Sequence, residues 1–127
     1  MAVTQVVVAS PAGETIFTDT AMGNALDAVK ASSTLLLYAI IDNSANGGAA
    51  SYVKLFNVAS GSVTLGVTAP DEVIYVPGGA IITVPYLTGA VLGKTFGTAL
   101  TAACVTTGGT GGTVSPSSAV KVTLAYV

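Results

Sequence analysis

The chain has 127 residues, a formal charge of −2 at neutral pH, no His, no Arg and no Trp. Only 8% of its residues are charged and 51% are hydrophobic, whereas soluble proteins average about 25% charged residues. A chain without His lacks the usual base for activating a Ser or Cys nucleophile, and four Lys make no basic stripe for a phosphate backbone. We therefore expect no enzyme and no nucleic-acid partner, but a protein that covers apolar surface with other protein chains.

The length predicts one domain over residues 1–127. The longest clean apolar run, residues 35–41, is too short for a membrane-spanning helix, which needs about 18 residues. The first ten residues lack a basic segment, so we expect no cleaved signal peptide. The sequence thus predicts synthesis in a cytoplasm and no membrane partner.

The N-terminal region predicts two short strands joined by a turn. Residues 2–9 form an apolar run, and residues 14–18 form a second short strand. Between them, Pro11 and Gly13 favour a turn over residues 10–13.

Residues 19–30 admit two interpretations. Met22, Leu26 and Val29 have the spacing of one helical face. Because Gly23 weakens a helix, we favour a loop followed by a strand over residues 26–31.

The centre of the chain predicts a buried strand and an alternating strand. Residues 35–42 are continuously apolar, which is typical of a central strand covered on both faces. After a flexible loop over residues 43–50, residues 51–57 alternate strictly. One face carries Tyr52, Lys54 and Phe56, and the other carries Val53 and Leu55. We expect the Lys54 stem to lie over the two rings, with its ammonium group in solvent.

The C-terminal half predicts further short strands separated by Gly and Pro. The predicted strands cover residues 62–68, 73–76, 80–85, 95–106 and 119–127, with an irregular segment over 86–93 and a flexible low-complexity loop over 108–117. Eight to nine short antiparallel strands in one domain predict an all-β, two-sheet β-sandwich of jelly-roll type.

No group of side chains suggests catalysis, a cofactor or a metal. The six carboxylates are expected to be solvated turn residues: Glu14, Asp19, Asp27, Asp42, Asp71 and Glu72. Asp42 and Asn43, beside the loop at residues 46–48, supply two or three oxygens toward a calcium site, but we favour hydrogen bonds that end a strand. The single cysteine, Cys104, is interpreted as a small buried hydrophobic residue.

The aromatic side chains are interpreted as core or inter-subunit packing rather than as a sugar-stacking platform. They include Tyr38, Tyr52, Phe56, Tyr75, Tyr86, Phe96 and Tyr126.

The segment YAIIDNSANGGAASYVKLFN at residues 38–57, the turn in VPGGAIITVP, and the ending GTALTAACVTTGGTGGT…AVKVTLAYV together resemble small structural proteins of tailed bacteriophages. The resemblance covers residues 35–127 and is closest to capsid decoration or cement proteins. It implies a virion protein on the capsid surface, a homotrimer that binds the major capsid protein and stabilises the head. The alternative is a tail or fibre module that recognises a cell-surface glycan.

Residues 1–34 lie outside this resemblance. They are predicted to hold the first strands and an N-terminal arm that reaches a neighbouring chain.

Overall fold

The computed structural model describes residues 5–9, 13–88 and 91–127. Its strands are β1 Gln5–Ala9, β2 Thr15–Met22, β3 Asp27–Lys30, β4 Thr34–Asp42, β5 Ser51–Phe56, β6 Glu72–Val76, β7 Ile81–Pro85, β8 Leu87–Thr88, β9 Val91–Leu92, β10 Lys94–Phe96, β11 Leu100–Val105 and β12 Val120–Tyr126. Within the described residues, the only helical segment is a single 3₁₀ turn at Ser60–Ser62.

The strands form two antiparallel sheets. Sheet I has the order β1-β2-β12-β4, and the far edge of β4 pairs with β10 over residues 34–36 and with β7 over residues 38–42. Sheet II has the order β3-β11-β5-β6. A small hairpin of β8 and β9 stands apart from both.

Eight of these strands follow the topology of a rolled-up hairpin. Taken in chain order, the first of these eight strands pairs with the last, the second with the second last, and so on. The pairs are β2 with β12, β3 with β11, β4 with β7, and β5 with β6. Successive pairs alternate between sheet I and sheet II, which is the arrangement of a jelly roll. The predicted all-β, two-sheet sandwich is confirmed, and β1 is an additional strand at the edge of β2.

Period-two alternation builds the core between the sheets. Phe17, Leu124, Ala39 and Val84 form one row across sheet I and point inward. Sheet II contributes the inward residues of β5 and β11, Val53, Leu55, Ala102 and Cys104. The final strand, β12, lies between β2 and β4, so the end of the chain is central to sheet I.

In the N-terminal region, loop and strand replace the helical alternative. The second strand is longer than predicted, because β2 continues to Met22. A turn then leads to β3 at Asp27–Lys30, inside the predicted span of residues 26–31. The predicted turn at residues 10–13 lies outside the described residues except for Gly13.

The strand predicted over residues 62–68 is wrong. The N–H groups of Val67 and Thr68 both donate to the carbonyl of Thr64, at 3.0 and 2.8 Å, and Gly66 adopts a left-handed φ of 88°. Local turn hydrogen bonds therefore replace a ladder, and Val67 is 74% exposed.

The single strand predicted over residues 95–106 is two strands. β10 pairs with β4 in sheet I, whereas β11 pairs with β5 in sheet II. Between them, the N–H groups of Thr98 and Ala99 donate to Asn57 Oδ1, at 2.8 and 3.4 Å. A remote amide side chain thus holds the crossing between the sheets.

Candidate functional site

Cys104 is buried and chemically inert. It points into the core from β11, and burial raises the pKa of its thiol to about 12. Since the thiolate is the nucleophilic form, almost none of it exists at neutral pH. The interpretation of Cys104 as a small core residue is confirmed.

Two carboxylates are not the solvated turn residues that the sequence predicted. Asp19 is 1% exposed and Asp27 is 6% exposed. They come from β2 and β3, one in each sheet, and line a cavity of about 230 Å³ at the mouth of the sandwich. Asp19 Oδ1 accepts a hydrogen bond from the N–H of Ala21, at 2.9 Å.

This cavity lies below the range of about 300–1,000 Å³ that is usual for small-molecule sites. Its other lining residues are Ala21, Gly23, Asn24, Ala25 and Ser115. Among the described residues, no three His, Cys, Asp or Glu side chains gather to hold a metal ion.

Asp42 ends β4 through local hydrogen bonds, as the favoured interpretation predicts. Its Oδ1 accepts from the N–H of Ser44 at 2.9 Å and from the Ser44 hydroxyl at 2.5 Å. These bonds, with a smaller contribution from Lys121, hold the pKa of Asp42 below its ordinary value.

The loop predicted over residues 43–50 is present, and its Asn43 and Asn46 side chains form a buried amide clamp. Asn43 Nδ2 donates to the carbonyls of Ala49, Val76 and Pro77. Asn43 Oδ1 accepts from Asn46 Nδ2 and from the Ser51 hydroxyl, each at 2.9 Å.

Asn46 extends this clamp to a second loop. Its side chain donates to the carbonyl of Ser118 at 3.1 Å and accepts from the N–H of Ser118 at 2.9 Å. The clamp thus fixes the end of the loop between β11 and β12, residues 106–119, which we call the cover loop.

The cover loop closes over the outer face of sheet II. Lys54 on β5 is fully buried, and its Nζ donates to the carbonyls of Thr110 and Gly112, at 3.4 and 3.2 Å. The prediction that the Lys54 ammonium group lies in solvent is therefore wrong. Burial lowers the pKa of this group. The loop predicted over residues 108–117 is present, and its middle lies over Lys54 through these two hydrogen bonds.

A second loop, residues 57–71, covers the other end of that face. The hydroxyl of Thr101, which points outward from β11, donates to the carbonyl of Val58 at 2.7 Å. The N–H of Asp71 donates to the carbonyl of Leu55 at 2.9 Å. As a result the outward-facing side chains of Thr101, Ala103 and Phe56 are at most 1% exposed.

In the part of the chain that the structure describes, no loop covers the outer face of sheet I in this way. One row across four strands is Thr18, Thr123, Ile40 and Thr83, and the next is Ile16, Ala125, Tyr38 and Pro85. All of these except the small Ala125 keep accessible surface. We call this surface, together with the exposed Ile81 beside it, the bare face.

The bare face is apolar and nearly uncharged. β2, β4, β7 and β12 place only two charged side chains on it, Asp42 and Lys121, opposite each other at one end. Ile81 is 62% exposed. The sequence signal was the continuous apolar run of β4, whose inner residues fill the core while Tyr38 and Ile40 face outward.

The aromatic residues divide between core and surface. Phe56, Phe96 and Tyr126 are buried, as predicted. Tyr75 is 55% exposed on β6 and meets Tyr52 with ring centroids 5.4 Å apart.

Comparisons of this chain with known proteins identify no relative. The sequence matches no known family model and no curated protein, and the structure matches no solved structure. In the part of the chain that the structure describes, no helix is both long and apolar enough to cross a bilayer.

Proposed function

We propose that this chain is a non-enzymatic structural protein of a phage particle. In this proposal it is made in the host cytoplasm, assembles as a homotrimer, and binds the major capsid protein on the capsid surface as a decoration or cement protein. The observation that carries the proposal is the bare face, a sheet surface with few charges over which the described residues form no covering loop.

The size of the bare face supports many weak contacts rather than one strong one. Four strands about 4.8 Å apart and about 17 Å of strand length give an area on the order of 300 Å². A stable pairwise interface buries about 800 Å² on each partner. A contact through one such face is therefore weak. On a capsid, many copies bind neighbouring coat subunits at the same time, and the combined contacts hold them in place through avidity.

The fold and the sequence resemblance support the same proposal. Jelly rolls recur in viral capsid proteins, and also in lectins and cupins, so the fold alone is compatible with several functions. The resemblance of residues 35–127 to phage decoration proteins favours the particle, and the low charge favours burial of surface in an assembly.

Electron cryomicroscopy of the phage that encodes this chain tests the proposal. Intact particles would be compared with particles whose copy of the gene is deleted. We expect extra density at junctions between coat subunits of intact heads, absent after deletion and restored by purified chain. Deleted heads should also release DNA at a lower temperature. Density on a tail fibre instead, with binding of the purified chain to glycans, would replace this proposal with the adhesion function.

A further inference from the structure

β1 stands outside the eight strands that complete the jelly roll. It pairs antiparallel with β2 alone, Gln5 opposite Asp19 through Ala9 opposite Thr15. The pairs of strands that make up the jelly roll do not include it, and its backbone forms the edge ladder beside β2 in sheet I.

The edge of β2 differs from the other outer edges of the sandwich. Proteins block exposed edges with charge, with Pro or with short strands. The other outer strands carry such residues: Lys30 in the short β3, Glu72 and the following Pro77 at β6, Pro85 in β7, and Lys94 in the short β10. In the span that pairs with β1, residues 15–19, β2 has no Pro and a single charged residue, Asp19, whose side chain is buried and accepts from the N–H of Ala21. The backbone of this edge therefore accepts a strand.

The sequence of β1 requires a partner strand. Gln-Val-Val-Val-Ala contains no charge and three β-branched residues, which favour a sheet over solvent. The connection from β1 to β2 covers residues 10–14, and five extended residues reach about 17 Å. That reach is enough to deliver the strand to an adjacent molecule that lies against the same edge.

We infer that β1 is an exchangeable strand, which pairs with β2 of a second copy of this chain in the register that it adopts on its own β2. The backbone pairs are identical in the two arrangements, so exchange of an identical element has a low energetic cost. The concentration of neighbouring copies then decides whether β1 pairs with its own β2 or with that of another chain. Copies held side by side in an assembly reach millimolar effective concentrations, which favour pairing between chains.

Exchange also links copies directionally. When each copy donates β1 to the next, the contact is head-to-tail and gives a ring if the rotation between copies closes or a filament if it does not, whereas mutual exchange gives a dimer. Strand exchange takes place between copies of this chain, so it does not depend on which surface the assembly covers.

Mixed disulfide trapping tests the inference. Val6→Cys on one chain and Thr18→Cys on another place thiols at directly opposed positions that meet only if β1 crosses between chains. The native Cys104 is buried and does not compete. The two variants would be mixed in denaturant, refolded together at several concentrations and oxidised mildly. Intermolecular products would be identified by mass spectrometry.

We expect at least tenfold more disulfide for Val6→Cys with Thr18→Cys than for Val6→Cys with Ser32→Cys, an exposed turn position that faces no β1 residue. The yield should rise with concentration and concentrate in the oligomeric fraction. Ala9→Cys with Thr15→Cys is a second opposed pair and should behave alike.

A chain that carries both Val6→Cys and Thr18→Cys shows which result would contradict strand exchange. If it closes entirely within single chains at every concentration, including the oligomeric fraction, and the mixed pairs stay at the Ser32→Cys level, β1 does not exchange. That result would leave density on phage heads unaffected, so the two proposals fail separately.

Discussion

The outer faces of the two sheets are made of similar residues but have different surroundings. On sheet II, Thr101, Ala103 and Phe56 lie under the protein's own loops and are almost completely buried. On sheet I, Thr123, Ile40 and Thr83 form an uncharged row that keeps accessible surface. The chain's own loops thus bury the outer face of sheet II, whereas the outer face of sheet I keeps the accessible surface that the proposed assembly would cover.

The covers of sheet II depend on a few polar anchors. Asn46 holds the end of the cover loop, and the Lys54 ammonium group binds the carbonyls of Thr110 and Gly112 in its middle. Since Gly-rich segments have little side-chain surface to bury, hydrogen bonds must hold this one in place. Sheet I has no comparable loop in the described residues, so changes to the anchors should affect one sheet far more than the other.

The largest effect is expected from Asn43→Leu. It removes five hydrogen bonds of a fully buried side chain and leaves carbonyls and a hydroxyl without their partner. Leaving buried polar groups unpaired costs about 1–3 kcal/mol each, so we expect a loss of about 4 kcal/mol in the free energy of unfolding, measured by urea denaturation.

Ser44→Ala is the matched control, since Ser44 is exposed and, among the described residues, its hydroxyl bonds with the adjacent loop residue Asp42 rather than with the clamp. It should change stability by about 0.5 kcal/mol or less. Equal losses for the two variants would contradict the clamp.

A smaller effect is expected from Gly112→Ala. A Cβ at Gly112 would lie 2.3 Å from the carbonyl oxygen of Thr107, whereas a Cβ at Gly111 would meet nothing within 4 Å. Overpacking costs about 1–3 kcal/mol, so Gly112→Ala should lose about 2 kcal/mol and Gly111→Ala almost nothing.

Lysine acylation followed by mass spectrometry reports the same change locally. Lys54 should react faster in Gly112→Ala than in Gly111→Ala, because the cover loop over it is displaced. Unchanged protection of Lys54 in both variants would show that the cover loop does not depend on this close approach.

Some of this comparison was predictable from the sequence. Strict alternation in residues 51–57 correctly separates inward Val53 and Leu55 from outward Lys54, because the period of a strand is a local property. The burial of Lys54 was not predictable, since the covering carbonyls belong to a loop more than fifty residues away. Asp19 was placed in solvent for a different reason, because the second strand was predicted to end at residue 18. Since β2 continues to Met22, Asp19 alternates in phase with Phe17 and faces inward.

The core between the sheets also predicts a pH dependence. Burial raises the pKa of the Cys104 thiol from 9.0 to about 12, so above pH 9 the unfolded chain ionises and the folded chain does not. The unfolded state then binds fewer protons, and stability falls as pH rises. The slope is about 1.4 kcal/mol per pH unit between pH 9 and 12.

Cys104→Ala isolates this contribution. The variant should lose stability at pH 7 through its small cavity, but its stability should fall less steeply from pH 9 upward than that of the wild type. Urea denaturation at half-unit intervals measures both slopes. Parallel curves would mean that the thiol is accessible to water.

The smallest effect on stability, and the one that sharpens the comparison most, is expected on the bare face. Ile40→Lys with Thr83→Lys adds two positive charges at neighbouring positions that already contact solvent. The lysine stems still cover the sheet, so the free energy of unfolding of the monomer should change by less than about 1 kcal/mol. Desolvating two unpaired ammonium groups in an interface costs far more, so assembly should weaken at least a hundredfold.

Ser32→Lys with Ser33→Lys makes the same charge change on an exposed turn and should leave assembly intact. Sedimentation velocity across a concentration series separates the outcomes: equal assembly of the two double variants would show that the bare face is not the contact surface.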